Sequence, residues 1–198
     1  MSGGVESAAL LLLLIERYGK ENVHVFSGII RGRRSWEAQN AEALCKYIGV
    51  ENFHAVDEEF QFMGNQDNYK LRLAGLRLVP SIDGWFNGAN KLLFAPTNIN
   101  TQEQLDAINR RNVFLPFIQL LKHHTIDILY QLGREDVLYQ TFSCTAQSGQ
   151  HCGKCYCCHE RVRGFATLDE IDEATYNVEW NDILKECFYS DKHIVKNW

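Results

Sequence analysis

A chain of 198 residues suits one domain with a sizeable core, and 45% apolar with 23% charged residues is an ordinary globular balance. The net charge of −5 argues against a broad nucleic-acid surface, so nucleic acid is not expected as a direct partner; Arg31, Arg33 and Arg34 form only a local basic patch. The apolar run at 8–15 is too short to span a bilayer, and glycines rather than a basic segment precede it, so neither a membrane span nor a signal peptide is expected and the chain reads as cytoplasmic.

In chain order, Ser2, Gly3 and Gly4 run straight into a predicted helix over 5–18, closed by Gly19. Glycines let the backbone approach an anion, and a helix N-terminus offers unpaired N–H groups at a positive dipole end. Ser2 and Ser7 can add hydroxyl donors. Alone these residues equally describe a plain N-terminus before a helix. Residues 22–30 read as a buried parallel strand, Ser35 as the N-cap of a helix over 36–48 stopped by Gly49, and 53–56 as a second strand. That order implies an α/β sheet with crossover helices. Residues 61–80 suit a helix only loosely. Residues 90–95 read as a third strand, Thr101 as the cap of a helix over 102–111, 113–117 as a short apolar segment, and 122–132 as a helix closed by Gly133. An extended segment is expected at 137–142 and helices at 158–166 and 168–174, with an apolar patch in the tail at 183–188.

The most specific stretch is 143–161, SCTAQSGQHCGKCYCCHER, in which Cys144, Cys152, Cys155 and Cys158 are spaced C-x7-C-x2-C-x2-C. A C-x2-C pair lets two thiolates grip one ion from a tight turn, and Gly153 supplies the positive φ such turns need. Four thiolates close the tetrahedral shell of Zn²⁺, so the site is expected to be structural rather than catalytic. The alternative is buried or disulfide-bonded cysteines. His151 and His159 are alternative ligands, but each adjoins a better-placed cysteine; Cys157, next to Cys158, is expected to point elsewhere as a spectator.

Three stretches together resemble a known family. They are Ser2-Gly3-Gly4-Val5-Glu6-Ser7, the segment 116–133 in which Lys122 lies six residues after Pro116, and 141–165 with its CGKCYCCHERVRGF ending. They are similar to the 7-cyano-7-deazaguanine synthase (QueC) family of PP-loop ATP pyrophosphatase-like enzymes. The resemblance implies an adenine-nucleotide α-hydrolase-like, Rossmann-like α/β fold: one domain over 1–198 with a zinc knuckle at 143–165 and a helical tail. It implies an ATP-dependent ligase that converts 7-carboxy-7-deazaguanine and ammonia to 7-cyano-7-deazaguanine, a queuosine precursor. AMP transfer would activate the carboxylate for attack by ammonia, and a second activation would dehydrate the amide. By the same resemblance Ser2, Gly3, Gly4, Val5, Glu6 and Ser7 bind ATP, Glu6 and Lys122 are catalytic, Mg²⁺ balances phosphate charge, and the protein is a homodimer.

The chain departs from the family in three places. A strand feeds the family's phosphate loop, whereas only Met1 precedes Ser2, so the sheet is expected to lack its first strand or the chain to be an incomplete version of a longer one. Residues 79–83, VPSID, keep a family proline but not the arginine and asparagine after it. Residues 97–111 hold no clear counterpart of a Tyr-Pro-Asp-Cys-Arg-like segment. Because the last two departures concern the deazapurine site, two other readings stand beside the first: a paralogue that adenylates another carboxylate or modifies a macromolecule, and a non-catalytic zinc-knuckle module.

Overall fold

The computed structural model describes residues 1–30, 36–58, 60, 65–90 and 112–189. Helix α1 (Val5–Tyr18) lies at the centre. Leucine is a strong helix former, and five in a row at 10–14 leave no polar face in the middle of the helix, so α1 must be covered on more than one side. Leu10 and Leu12 pack with Ile126, Leu129, Val137, Leu138 and Phe165. Leu11 packs the opposite way, with Val23, Val25, Cys45 and Val50.

The second of those clusters belongs to a parallel pair. β1 (Val25–Gly28) and β2 (Phe53–Val56) align Val25 with Phe53 through Gly28 with Val56, and α2 (Trp36–Ile48) crosses between them. All four residues of β1 are buried, as expected of a strand covered on both faces. α3 (Asn65–Leu78) covers this pair, bringing Leu71 and Ala74 against Phe26, Val56 and Phe60. A second parallel pair, β3 (Trp85–Phe86) with β4 (Val113–Phe114), is joined to the first through Trp85, which stacks on Phe26 at 5.3 Å. The C-terminal part is helical: α4 (Lys122–Gln131), α5 (Glu135–Tyr139), α6 (Tyr156–Thr167) and α7 (Trp180–Tyr189). α4 packs between α1 and α6, and α7 covers α6 through Val162, Ile183 and Cys187.

The structure is thus mixed α/β, but among the described residues the strands form two separate parallel pairs rather than one continuous sheet. The expected strand at 90–95 and helix at 102–111 lie, apart from Asn90, outside the described residues, as do Ser35, Thr101 and the arginine patch. Two expectations fail. The chain at 137–139 is helical, and neighbouring Val137 and Leu138 both enter the one core cluster around α1, whereas a strand would send them to opposite faces. Residues 168–174 are not helical; Asp169 has φ +58, which ends α6 and turns Asp172 back beneath it.

Met1 lies along β1: its amino group hydrogen-bonds the Phe26 carbonyl, and its own carbonyl accepts from Ser27 Oγ at 2.6 Å. Gly3 follows with φ +81, and its carbonyl accepts the Phe142 N–H at 2.9 Å. A Cβ at Gly3 would stand 2.9 Å from Asn40 C and 3.0 Å from Ala41 N, so the close approach of α2, together with the positive φ, requires glycine here. Gly3→Ala therefore forces α2 and the loop apart as well as straining the backbone. It is expected to cost roughly 2 kcal/mol and to lower the melting midpoint by about 4–8 °C, checked by thermal denaturation.

Candidate functional site

The knuckle is built by two turns and the start of α6. Gly153, with φ +72, bends the chain so that the N–H groups of Lys154 and Cys155 both point at Cys152 Sγ, at 3.4 and 3.2 Å. Cys155 is the N-cap of α6, and Cys158 stands one turn into the helix. Cys144 arrives from the loop after α5. The four sulfurs lie within 4.8 Å of one another, with pairs at 3.4, 3.9 and 4.0 Å. A tetrahedral ion with bonds of about 2.3 Å sets its thiolates about 3.8 Å apart, so this donor set fits such an ion, and zinc suits an all-thiolate shell.

Both histidines are engaged elsewhere. His151 Nε2 accepts the Ser143 N–H at 3.1 Å, and His159 Nε2 meets the Gly153 carbonyl at 3.0 Å. Burial, with Arg161 nearby, pushes His151 down to about 4. Cys157 stands outside the cluster, taking a weak hydrogen bond from Thr145 Oγ1 at 3.9 Å; burial pushes its thiol up to about 12 although Lys122 acts against this.

Arg161 fastens the back of the knuckle. Its side chain is fully buried, forks onto Asp172 with Nη2 to Oδ1 at 3.0 Å, and donates to Thr141 Oγ1 at 2.6 Å. Tyr176 also donates to Asp172. Burial alone would lower the guanidinium and raise the carboxyl, but the pair more than offsets this: Arg161 is held above and Asp172 below its ordinary value.

A second group of residues surrounds the start of α1. Gly4 is the N-cap, has no side chain to cap the helix, and the hydrogen-bond ladder begins with Ala8 N–H on its carbonyl at 3.0 Å. The first-turn N–H groups of Val5, Glu6 and Ser7 thus have no acceptor within the helix. Ser2 and Ser7 hydroxyls lie 3.4 Å apart across the loop. Glu6 Oε1 accepts from Asn90 Nδ2 at 3.0 Å and is ion-paired with Lys122, the first residue of α4. Lys122 is only 7% exposed; burial disfavours its charge, but Glu6 and then Glu160 outweigh this and its pKa is raised.

The structure therefore gathers Ser2, Gly3, Gly4, Val5, Glu6, Ser7 and Lys122 in one place and Cys144, Cys152, Cys155 and Cys158 in another. The two are joined by the Phe142–Gly3 hydrogen bond. Sequence reasoning missed Asn90, read there as the start of a strand, and Asp172, which carries no motif. It also missed Tyr156 and Glu160, whose four-residue spacing on a helix was a usable signal.

The class to which this arrangement points is supported by comparison. The model of the QueC family, "Queuosine biosynthesis protein QueC", matches residues 96–169, which include the knuckle and Lys122. Over a longer span the chain is similar to a 7-cyano-7-deazaguanine synthase from Methanothermobacter thermautotrophicus, 26% identical over 223 aligned positions that cover 88% of this chain and 96% of the relative. The chain is accordingly similar to QueC proteins in its cysteine-bearing half and over most of its length. No solved structure gives a significant match. Among the described residues no helix is long and apolar enough to cross a membrane.

Proposed function

We propose that the chain is an ATP-dependent ligase of the QueC type, which makes 7-cyano-7-deazaguanine from 7-carboxy-7-deazaguanine, ammonia and ATP. The observation that carries this reading is the uncapped start of α1 with the Glu6–Lys122 pair closed over it, in a chain that also has the four-cysteine cluster. The N–H groups of Val5, Glu6 and Ser7, with the Ser2 and Ser7 hydroxyls, suit the phosphates of ATP. Lys122 can exchange the Glu6 carboxylate for phosphate oxygen, which leaves Glu6 and Asn90 free to face a hydrated cation. Mg²⁺, when bound, would screen the phosphate charge. The cysteines would hold zinc in a closed shell, away from the chemistry.

The need for ATP follows from the substrate. A carboxylate has no leaving group that ammonia can displace. Transfer of AMP to it releases pyrophosphate and creates one; ammonia then forms the C–N bond as AMP leaves with the carboxylate oxygen. A second AMP transfer, to the amide oxygen, lets that oxygen leave and the amide lose two protons to give the nitrile. The chain's part is positioning and charge stabilisation.

The test is pyrophosphate release from ATP with and without 7-carboxy-7-deazaguanine. Lys122→Met is expected to lower stimulated release about 10²–10³-fold, as does loss of a comparable charge-stabilising donor. Gly4→Ala separates binding from folding. Gly4 has φ −81, and a Cβ there would lie 3.7 Å from Ser2 Oγ, Glu6 Oε2 and the Phe142 carbonyl, ordinary contacts that intrude only on the loop's mouth. It is expected to weaken ATP binding while the melting temperature holds. No release under either condition would remove the ATP reading; release indifferent to the deazapurine acid would transfer the activity to another carboxylate.

A further inference from the structure

The two oxygens of the Glu6 carboxylate are used differently. Oε1 accepts from Asn90 Nδ2 at 3.0 Å, and the same oxygen is paired with Lys122 Nζ. Among the described residues nothing donates to Oε2, which lies 3.7 Å from where a Cβ on Gly4 would stand, at the mouth of the loop. Asn90 is delivered by residues 87–90, which leave β3 and cross the first turn of α1. The Asn87 N–H donates to the Phe114 carbonyl at 3.0 Å, and Asn87 Oδ1 accepts the Ala89 N–H at 2.9 Å, an asparagine turn that fixes the bend. A Cβ on Gly88 would stand 3.1 Å from the Glu6 carbonyl oxygen, so the segment runs in backbone contact with the residue whose side chain Asn90 holds.

We propose that Asn90 is a positioning residue for Glu6: it keeps hold of Oε1 when Lys122 turns to phosphate, so that Oε2 stays presented over the loop as a single-oxygen ligand for a divalent cation. A glutamate arm has three rotatable bonds and loses much freedom when it is ordered. If Lys122 were its only partner, the carboxylate would swing loose at the moment the cation needs it. Asn90 is uncharged, so phosphate competes for its N–H far less than for the Lys122 ammonium. Mg²⁺ is held through few carboxylate oxygens and keeps several waters, which suits a carboxylate fixed through one oxygen and open at the other.

The cation role rests on the ATP reading, but its first readout does not. Hydrogen exchange at the Asn90 side-chain amide is followed by NMR in the ¹⁵N-labelled, zinc-loaded full chain. Glu6→Leu, which removes the acceptor, is expected to speed this exchange about tenfold, the scale of one hydrogen bond to a charged group. Lys122→Met, which imitates the departure of the lysine, leaves the amide protected. In the pyrophosphate assay Asn90→Ala raises the Mg²⁺ concentration for half-maximal release about tenfold at saturating ATP, with a smaller change in kcat at saturating Mg²⁺. Asn90→Gln, which keeps the amide, recovers part of that loss. Zinc content and melting temperature of Asn90→Ala stay near wild type, which separates positioning from a general loosening. Equal exchange in wild type and Glu6→Leu, or loss of protection in Lys122→Met, overturns the proposal whether or not the protein releases pyrophosphate. If Glu6→Leu does not fold, exchange in wild type as fast as in a free asparagine amide overturns it. An unchanged Mg²⁺ requirement in an active Asn90→Ala protein overturns it as well. Protection in both wild type and Lys122→Met, in a protein that releases no pyrophosphate, supports the positioning and removes the ATP reading instead.

Discussion

Cys155→Ser is expected to empty the metal site. Cys155 Sγ lies 3.4 Å from Cys158 Sγ and 4.0 Å from Cys144 Sγ, so its loss opens one vertex of the tetrahedron. The same residue is the N-cap of α6, so its side chain also stands where the knuckle passes into the helix. Structural zinc contributes its binding free energy to folding, about 10–16 kcal/mol in small peptides, and even a fraction of that would lower the melting midpoint by more than about 10 °C. Elemental analysis should read about one zinc per chain in wild type and close to none in Cys155→Ser. Cys157→Ser, whose sulfur stands outside the cluster, should keep the metal. Full zinc in the Cys155 variant would remove the assignment.

Arg161→Ala is expected to cost about 3–5 kcal/mol, the range for removing one member of a buried pair, and to lower the midpoint by roughly 10 °C or more. The stranded partner decides the pH dependence. In wild type Asp172 titrates below its ordinary value, so the stability it brings is present above the unfolded carboxylate range near pH 3.9 and is lost as pH falls through the folded value. In Arg161→Ala burial is left without its counter-charge and raises the Asp172 pKa above the unfolded value. The variant should then lose stability as pH rises between the two values, the reverse of wild type. Adding Asp172→Ala should recover part of the loss. Denaturant unfolding of the three proteins at pH 5 and pH 8 checks both the size and the sign.

What the sequence made legible was what depends on neighbours a few residues apart. Helix α2 and strand β2 fall on the residues expected, because Gly49 closes the helix at φ +82 and the short apolar run after it has no room for another. The cysteine cluster was legible because the C-x2-C spacing already encodes a turn around an ion. The start of α1 was legible because two glycines before a leucine run leave few alternatives. Contacts between distant segments were not legible. Asp172 meets Arg161 only because Asp169 stops α6, and nothing in its sequence neighbourhood marks it. Asn90 reaches Glu6 across 84 positions. The extended reading at 137–142 failed over 137–139 because β-branched and aromatic residues there suggest a strand, while packing brings Val137 and Leu138 into one cluster.

The hydrogen bond from Phe142 N–H to the Gly3 carbonyl has a consequence for how the protein comes into being. It spans almost three-quarters of the chain, and loop-closure entropy of that length is met only after the intervening helices have collapsed. On a ribosome the first turn of α1 is made well before this partner and cannot receive it until Phe142 has left the exit tunnel, a wait on the order of ten seconds at ordinary translation rates. During that interval Leu10, Leu12, Leu13 and Leu14 of α1 also lack α4, α5 and α6, which supply much of their packing. Through that interval the nascent chain carries an apolar helix short of half its cover, which makes the segment around α1 a natural client for chaperones that bind such helices.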